Sequence, residues 1–232
     1  MSRPEWYYDD VRQLGTDFAD AEQVAAYDRN QGRDPAADQA LVASLRIGPD
    51  HTLLDLGCGT GQFAREAARL VREVIAVDVS PVMLAFARNR ASDEKLSNLR
   101  FVHAGFLSYE HQGPPVDVVV SKSAFHHLPD FWKAVALSRM HAWLKPGGLL
   151  FLQDVAFSFP DSDYRRGIED WIARMASPPG KGFTAGDFAT HVREEHSTFR
   201  WILEGLIERA GFRIIACKSA DEAYAEFRCL RL

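Results

Sequence analysis

The chain has no long run of basic residues, and this limits the kinds of partner that it could bind through charge. Its 232 residues include 27 Lys and Arg against 32 Asp and Glu, so the formal net charge is −5. Proteins that bind nucleic acid through its phosphates normally carry a basic patch or stripe. The charge balance therefore weighs against nucleic acid as a partner.

Long apolar runs and paired cysteines are also scarce. No stretch approaches the roughly 18 consecutive apolar residues of a membrane span, and the N-terminal sequence MSRPEWYYDD has no apolar signal core. The three cysteines, Cys58, Cys217 and Cys229, are odd in number and lack the spacing of a metal site. These absences predict a soluble, cytoplasmic protein with reduced thiols and no membrane partner.

What the chain does contain, from residue 51 onward, is an alternation of short apolar segments with helical patterns. Continuous apolar strands separated by amphipathic helices indicate a parallel sheet that helices cover on both faces. In such α/β folds, ligands bind at the carboxyl ends of the strands. The strand segments are HTLLDLG, EVIAVDVS, LRFVHA, PVDVVVSKS and LLFLQDVAF.

The C-terminal part predicts one helix and two closing strands. The helix is STFRWILEGLIERAG, with Ser197 or Thr198 as its N-cap and Gly211 at its end. The segments FRIIACKSA and YAEFRCLRL are separated by few residues, so we expect them to pair antiparallel.

Two segments lack a clear period. Residues 157–196 contain turn signals and precede the last helix, so we expect an insertion there that binds the substrate. Residues 1–45 are polar with scattered Tyr and Trp, and we expect them to form a helical lid over the sheet edge or the ligand site. The main domain is then predicted to span residues 46–232.

The stretch LLDLGCGTGQFA contains three glycines, whose lack of Cβ atoms lets a ligand contact the backbone directly. Gly57, Gly59 and Gly61 follow the pattern G-x-G-x-G, whereas a dinucleotide turn follows G-x-G-x-x-G. Asp55, two residues before the first glycine, is awkward beside a pyrophosphate but suits an ammonium group.

Asp78 adds the second clue, because it ends the next strand 19 residues after Gly59. A carboxylate there can accept hydrogen bonds from both hydroxyls of a ribose. The ligand therefore has a ribose and a cationic part without phosphate, and S-adenosylmethionine has both.

At this point the chain resembles the class I S-adenosylmethionine-dependent methyltransferases. Four segments carry the resemblance in order, and the tail LIERAGFRII is also similar to the family. They are LLDLGCGTGQFA, VIAVDVSPVMLAFA, DVVVSKSAFHHLPD and LKPGGLLFLQD. The resemblance implies a doubly wound, mostly parallel α/β sheet of seven strands, Rossmann-like, with its last strand antiparallel. It also implies an enzyme that uses S-adenosyl-L-methionine and releases S-adenosyl-L-homocysteine.

The resemblance implies the cofactor-binding residues as well. They are Asp55, Gly57, Cys58, Gly59, Gly61, Asp78, Val79, Met83, Gly105, Phe106 and Ser121. This chain departs from the family after the third strand, where many members have an acid near the adenine amino group. It has Gly105 there instead, so we expect backbone groups or packing, for example against Phe106, to hold the adenine.

His126 and His127, just after the fourth strand, are the candidates for a catalytic base. A base is needed only when the acceptor is a hydroxyl or an ammonium group that must lose its proton. The alternative is that both histidines simply pack or bond to the backbone. Two adjacent histidines do not form a metal site by themselves, and we expect no metal.

Acceptor-binding residues are expected in the N-terminal segment and in residues 157–196. They are Tyr8, Tyr27, Tyr164, Arg165, Arg166, Trp171 and His196. Aromatic side chains with an arginine pair suit a small, partly apolar acceptor that carries an anionic group. The alternative is that YRRGIEDWI forms an exposed helix whose tryptophan packs inward.

The leading hypothesis is methyl transfer to a small molecule by in-line displacement at the sulfonium methyl. The alternatives are an RNA or protein methyltransferase and a non-catalytic protein that binds S-adenosylmethionine as a sensor or scaffold. The sequence identifies neither the acceptor atom nor the oligomeric state, for which a homodimer is one option.

Overall fold

The computed structural model describes residues 4–11, 24, 35–219 and 221–232, and these form one sheet covered by helices. The strands are β1 (Thr52–Leu56), β2 (Glu73–Asp78), β3 (Leu99–His103), β4 (Val116–Lys122), β5 (Leu144–Phe157), β6 (Thr198–Phe199), β7 (Phe212–Ser219) and β8 (Tyr224–Arg231). The helices of the described part are α1 (Pro35–Ser44), α2 (Gln62–Ala68), α3 (Pro81–Asp93), α4 (Asp130–Trp143), α5 (Tyr164–Met175), α6 (Ala185–Glu194) and α7 (Arg200–Arg209).

The sheet has the strand order β3-β2-β1-β4-β5-β8-β7, and the two-residue strand β6 pairs with β5 beside this path. Strands β1 to β5 pair in parallel, whereas β8 is antiparallel to both β5 and β7. The predicted fold class is confirmed, including the antiparallel last strand and the pairing of the two closing strands.

Separate apolar clusters cover the two faces of the sheet. All five residues of β1 are buried, as expected for a parallel strand packed on both sides. On one face, Val42 of α1, Phe63 of α2 and Leu84 of α3 pack together. On the other face, the cluster includes Leu137 of α4 and Ile207 of α7. The carboxyl ends of the central strands are therefore held between two rigid layers.

The insertion before α7 has a small core of its own. Trp171 of α5 is 1% exposed and packs with Phe157 and Phe159, while Phe188 of α6 lies against the same cluster. The indole ring of Trp171 meets the Phe188 ring edge to face at a centroid distance of 5.0 Å. These contacts fix α5 and α6 beside the end of β5.

The structure corrects one local prediction, the N-cap of the last helix, and describes only part of the predicted N-terminal lid. Helix α7 begins at Arg200 with Phe199 as its N-cap, so the predicted caps Ser197 and Thr198 are wrong. Residues 4–11 contain turns and neither helix nor strand, and α1 is the one helix of the first 45 residues whose bounds are described. The proposed boundary between a lid and the main domain stays a prediction. No helix among the described residues is both long enough and apolar enough to cross a membrane.

Candidate functional site

The glycine turn after β1 is required by its backbone and by close packing. Gly57, Gly59 and Gly61 have φ angles of 76°, 54° and 74°, in the left-handed region that favours glycine. A Cβ atom on Gly57 would lie 2.3 Å from the Cβ of Ala124, and one on Gly61 would lie 2.8 Å from the Cβ of Ala87. The turn is therefore wedged against the loop after β4 and against α3.

Asp78, at the end of β2, holds this turn in place. Its Oδ2 accepts the N–H of Gly59 at 2.7 Å, and its Oδ1 accepts the N–H of Ser80 at 2.8 Å. Burial raises the pKa of the Asp78 carboxyl group, although the N–H bonds from Ser80, Gly59 and Val79 oppose that rise. Each carboxylate oxygen keeps a further lone pair, so hydrogen bonds from ribose hydroxyls remain compatible with these contacts.

The remaining residues around the turn fit the cofactor that the glycine pattern implies. Above Gly59, a Cβ atom would find no atom closer than the sulfur of Met83 at 3.8 Å, so the backbone there is accessible to a ligand. Asp55 is 2% exposed and pairs in register with Val120, next to Ser121. The Oγ of Ser121 is buried and has no hydrogen-bond partner among the described residues. A buried hydroxyl group of this kind is expected to have a partner, which a bound ligand can supply.

Gly105, where the family acid is missing, lies against a carboxylate from elsewhere in the chain. A Cβ atom on Gly105 would lie 2.3 Å from Oδ2 of Asp10 and 3.0 Å from Cγ1 of Val79. Oδ2 of Asp10 accepts the N–H groups of Leu107 at 2.7 Å and Ser108 at 3.0 Å. The N-terminal segment therefore brings an acid to the loop after β3, and glycine makes room for it.

Phe106 belongs to the core more than to an open adenine wall. Its side chain is 8% exposed, and its ring meets that of Phe125 edge to face at a centroid distance of 5.3 Å. Its ring atom Cζ would lie 3.9 Å from a Cβ on Gly57. The expected stacking of Phe106 on adenine stays a prediction.

The turn after β4 is distorted where it meets the glycine turn. Ser123 has a φ of 51°, an uncommon value for a residue other than glycine, and its N–H donates to the carbonyl of Gln153 at 2.8 Å. A short 3₁₀ turn, Phe125–His127, follows. The two predicted histidines therefore follow the loop residue Ala124, which packs against Gly57, one of the predicted cofactor-binding residues.

His126 is fixed by two carboxylates. Its Nδ1 lies 2.5 Å from Oδ1 of Asp154, and its Nε2 lies 3.2 Å from Oε2 of Glu195. Oδ2 of Asp154 also accepts the N–H of Phe125 at 2.6 Å. Burial disfavours the charged ring, but the charges of Asp154 and Glu195 outweigh it and raise the pKa of His126. For Asp154, burial is outweighed by His126 and the backbone N–H groups, so its pKa is lowered.

His127 has the opposite electrostatic environment. Burial, together with the nearby charge of His126, lowers the pKa of His127 to about 4, so its ring is neutral at pH 7. Its Nδ1 is buried without a hydrogen-bond partner in the described part of the chain. Glu195 in turn contacts Nδ1 of His191, and this bond together with the charge of His126 outweighs burial and lowers the pKa of Glu195.

Three predicted acceptor-binding residues lie near this turn. The hydroxyl of Tyr8 donates to the carbonyl of His127 at 3.2 Å, and the N–H of His196 donates to the carbonyl of His126 at 2.8 Å. Trp171 is buried within the insertion, with its indole 5.6 Å from the His191 ring. These contacts join the N-terminal segment, the turn after β4 and the insertion.

The other predicted acceptor residues do not join them. Tyr164, Arg165 and Arg166 are exposed, and Arg166 forms an ion pair with Asp170 at 3.5 Å on the same helix. Helix α5 instead turns Trp171 inward, which supports the alternative of an exposed helix. Tyr27 lies outside the described residues.

Four residues of this site escaped the sequence analysis. Asp10, His191 and Glu195 have no motif around them and reach the site only through the fold. Asp154 could have been found, since it follows a buried run of β5 and the carboxyl ends of parallel strands meet at one edge.

The chain shares its motifs with known methyltransferases. The family described as "Methyltransferase domain" matches residues 53–148. An uncharacterized methyltransferase from Geobacillus kaustophilus (strain HTA426) is 31% identical over 209 residues, which cover 86% of this chain and 90% of that protein. Phosphoethanolamine N-methyltransferase 2 from Caenorhabditis elegans is 35% identical over 119 residues, which cover 50% of this chain and 27% of that protein.

A solved structure supports the fold. A SAM-dependent methyltransferase from Aquifex aeolicus superposes with a TM-score of 0.61 at 16% identity, covering 92% of this chain and 99% of that chain. Motifs, relatives and sheet topology agree, so the chain belongs to the class I S-adenosylmethionine-dependent methyltransferases and is an enzyme whose methyl donor is S-adenosylmethionine.

Proposed function

We propose that the protein transfers the methyl group of S-adenosylmethionine to a small-molecule acceptor. The observation that carries this proposal is the covering of the turn after β4 by the insertion. Glu195 and His191 of the insertion contact each other beside His126, and Trp171 closes the cluster behind them. A polar cluster that is covered by an insertion of the same chain suits a small ligand better than a polymer.

The charge distribution and one relative support the same class of acceptor. The net charge of −5 and the lack of a long run of Lys and Arg in the sequence weigh against RNA as the acceptor. The relative named phosphoethanolamine N-methyltransferase 2 has a small molecule in its name, although only 27% of its length is matched. The name of this relative supports a small-molecule acceptor and does not identify it.

The residues around the turn have distinct tasks in the proposed reaction. S-adenosylmethionine, when bound, supplies a methyl group already activated by the sulfonium charge. Asp55 would hold the ammonium group and Asp78 the ribose of the bound cofactor. In-line displacement then requires the acceptor atom roughly 3–3.5 Å away in a site that excludes water.

The two histidines differ in what they can offer an acceptor. Both ring nitrogens of His126 face carboxylates, so His126 is engaged in holding the insertion. The ring of His127 is neutral and therefore has a nitrogen lone pair for an acceptor proton or another electrophile. A proton must be removed only if the acceptor is a hydroxyl or an ammonium group.

Transfer of tritium from methyl-labelled S-adenosylmethionine tests the proposal. The protein is incubated with fractionated cell extract, and label is followed in small molecules, RNA and protein, with Asp78→Ala as the cofactor-deficient control. We expect label in a small-molecule fraction, and the control should produce it more slowly because it binds the cofactor more weakly. Label in RNA or protein would favour the second hypothesis, and cofactor binding without label in any fraction would favour the sensor.

A further inference from the structure

A group of metal-ligating side chains lies between the turn after β4 and the insertion. His126, His127 and Glu195 each offer one ligand atom, and these atoms lie within 4.8 Å of one another. We propose that these three residues bind a first-row divalent cation, with Zn²⁺ as the first candidate. The inference goes beyond the proposed function, because it does not depend on the identity of the acceptor.

The spacing of the ligand atoms is close to what such a cation needs. With metal–ligand distances of about 2.0–2.2 Å, tetrahedral ligand atoms stand roughly 3.3–3.6 Å apart. Nε2 of His126 and Oε2 of Glu195 are already 3.2 Å apart. The widest separation in the group has to shrink by roughly 1 Å, which side-chain rotation can provide. Three protein ligands leave a fourth position for water or another donor.

Two of the ligands already have the supporting bonds that metal ligands usually have. The Nδ1 of His126 faces Asp154 at 2.5 Å, so Nε2, which faces Glu195, is the nitrogen that would give up its proton and bind the cation between the two side chains. Glu195 is in contact with Nδ1 of His191, whose Nε2 lies 2.7 Å from the hydroxyl of Ser197. Carboxylate partners on ligating histidines and hydrogen bonds to ligating carboxylates both orient the ligands and strengthen metal binding.

His127 gives an independent indication. Its Nδ1 is buried and has no hydrogen-bond partner among the described residues. A buried polar atom without a partner costs free energy, and native structures contain few of them. A cation within reach of the imidazole would compensate that cost. The sequence predicted no metal because His126 and His127 alone do not form a metal site. The fold brings Glu195 beside them as a third ligand.

Metal binding by the intact protein tests the inference directly. Protein stripped with a chelator is titrated with Co²⁺, whose visible absorption reports its ligands, and with Zn²⁺ in a calorimeter. His127→Ala and Glu195→Gln remove one ligand each, and His111→Asn removes a histidine outside the group. Thermal melts of every variant, with and without Zn²⁺, show whether it folds and whether the metal stabilises it.

We expect the wild type to bind one equivalent of Zn²⁺, to develop Co²⁺ absorption and to melt at a higher temperature with Zn²⁺. Each ligand variant should bind at least tenfold more weakly, and His111→Asn should bind like the wild type. The inference is overturned if the wild type takes up no metal. It is overturned equally if folded Glu195→Gln binds as tightly as the wild type, or if His111→Asn loses as much affinity as the ligand variants. If one ligand variant does not fold, the other variant and the melting shift of the wild type decide the question.

Discussion

None of the three thiols forms a disulfide, and we expect them to differ in reactivity because their surroundings differ. Cys58 and Cys229 are buried, whereas Cys217 is exposed on β7. Burial raises the pKa of Cys229 to about 12, so its thiolate form is negligible near neutral pH. We expect iodoacetamide at about pH 8 to alkylate Cys217 in the folded protein and all three cysteines after denaturation, as peptide mass spectrometry would show. Labelling of Cys229 in the folded protein at the rate of Cys217 would contradict this.

Asp78 shapes the glycine turn through its bonds to Gly59 and Ser80, and we propose that it also binds the cofactor. We expect Asp78→Ala to weaken binding of S-adenosylmethionine by about 1–3 kcal/mol, since hydrogen bonds to a charged group are lost. It should also lower the melting temperature, because the N–H groups of Gly59 and Ser80 lose their acceptor. Calorimetry and thermal melts measure the two effects, with the exposed Asp50→Ala as the control. An unchanged dissociation constant would remove Asp78 from the binding site.

Among the elements, strand β4 is bonded to both of its neighbours, β1 and β5, through the carboxylate of Asp117. The stability of the fold should therefore depend on pH. Asp117 accepts the N–H of Thr52, at the start of β1, at 2.8 Å and contacts Nζ of Lys145 at 2.5 Å. Burial opposes ionisation, but Lys145 and Thr52 outweigh it, so the pKa of Asp117 is lowered below its ordinary 3.8. A lowered carboxyl pKa contributes stability above the unfolded value, and that contribution is lost as pH falls through the folded value.

We therefore expect Asp117→Asn to destabilise the protein by about 1–2 kcal/mol at pH 7. The difference from the wild type should begin to shrink as pH falls below 3.8, where the carboxyl group of the unfolded chain is protonated, and should be smallest below the lowered pKa of the folded protein. Urea denaturation at pH 7 and at a pH below 3.8 measures this difference in the free energy of unfolding. Glu110→Gln, which removes an ion pair whose glutamate is 74% exposed, should have little effect. An equal loss from Asp117→Asn at both pH values would show that its charge is not the cause.

The elements also show which signals in the sequence were sufficient. The cap of α3 was predictable because it is local: the Oγ of Ser80 accepts the N–H of Met83 at 3.1 Å, three residues on. The start of α7 was not, because Thr198 bonds to Asp130 at 2.9 Å and pairs with Ala156 in β5. Because these partners are distant in the sequence, the local pattern around Thr198 wrongly predicts a helix cap.

The same distinction applies to the site. Asp55, the glycines and Asp78 could be proposed as cofactor-binding residues because their spacing along two neighbouring strands is itself the signal, and this assignment stays a prediction. Glu195 and Asp10 come from segments without a motif, and only the packed fold brings them to His126 and Gly105. For α5, the pair Arg165 and Arg166 suggested a binding role, but the buried face of the helix belongs to Trp171.

At the scale of the whole molecule, residues 4–11 form a strap across the carboxyl ends of the strands. At one end, the Tyr7 ring lies 4.8 Å from Trp132 on α4, and Tyr8 bonds to the turn after β4. At the other end, Asp10 bonds to the loop after β3. Because β1, β2 and the glycine turn lie between these two anchors, we expect the strap to cover the bound cofactor.

Weakening the bonds of Asp10 to the loop after β3 tests whether the strap covers the bound cofactor. Asp10→Asn removes the charge from hydrogen bonds to Leu107 and Ser108, each worth about 1.5–3 kcal/mol when the acceptor is ionised. We expect faster hydrogen exchange in residues 4–11 and release of S-adenosylmethionine at least fivefold faster in stopped-flow experiments. Asp9→Asn is the matched control, since Asp9 is exposed and bonds to Val11 within the strap itself. If exchange accelerates while release does not, the strap is anchored as described but does not retain the cofactor. If both variants behave alike, the Asp10 anchor itself is wrong.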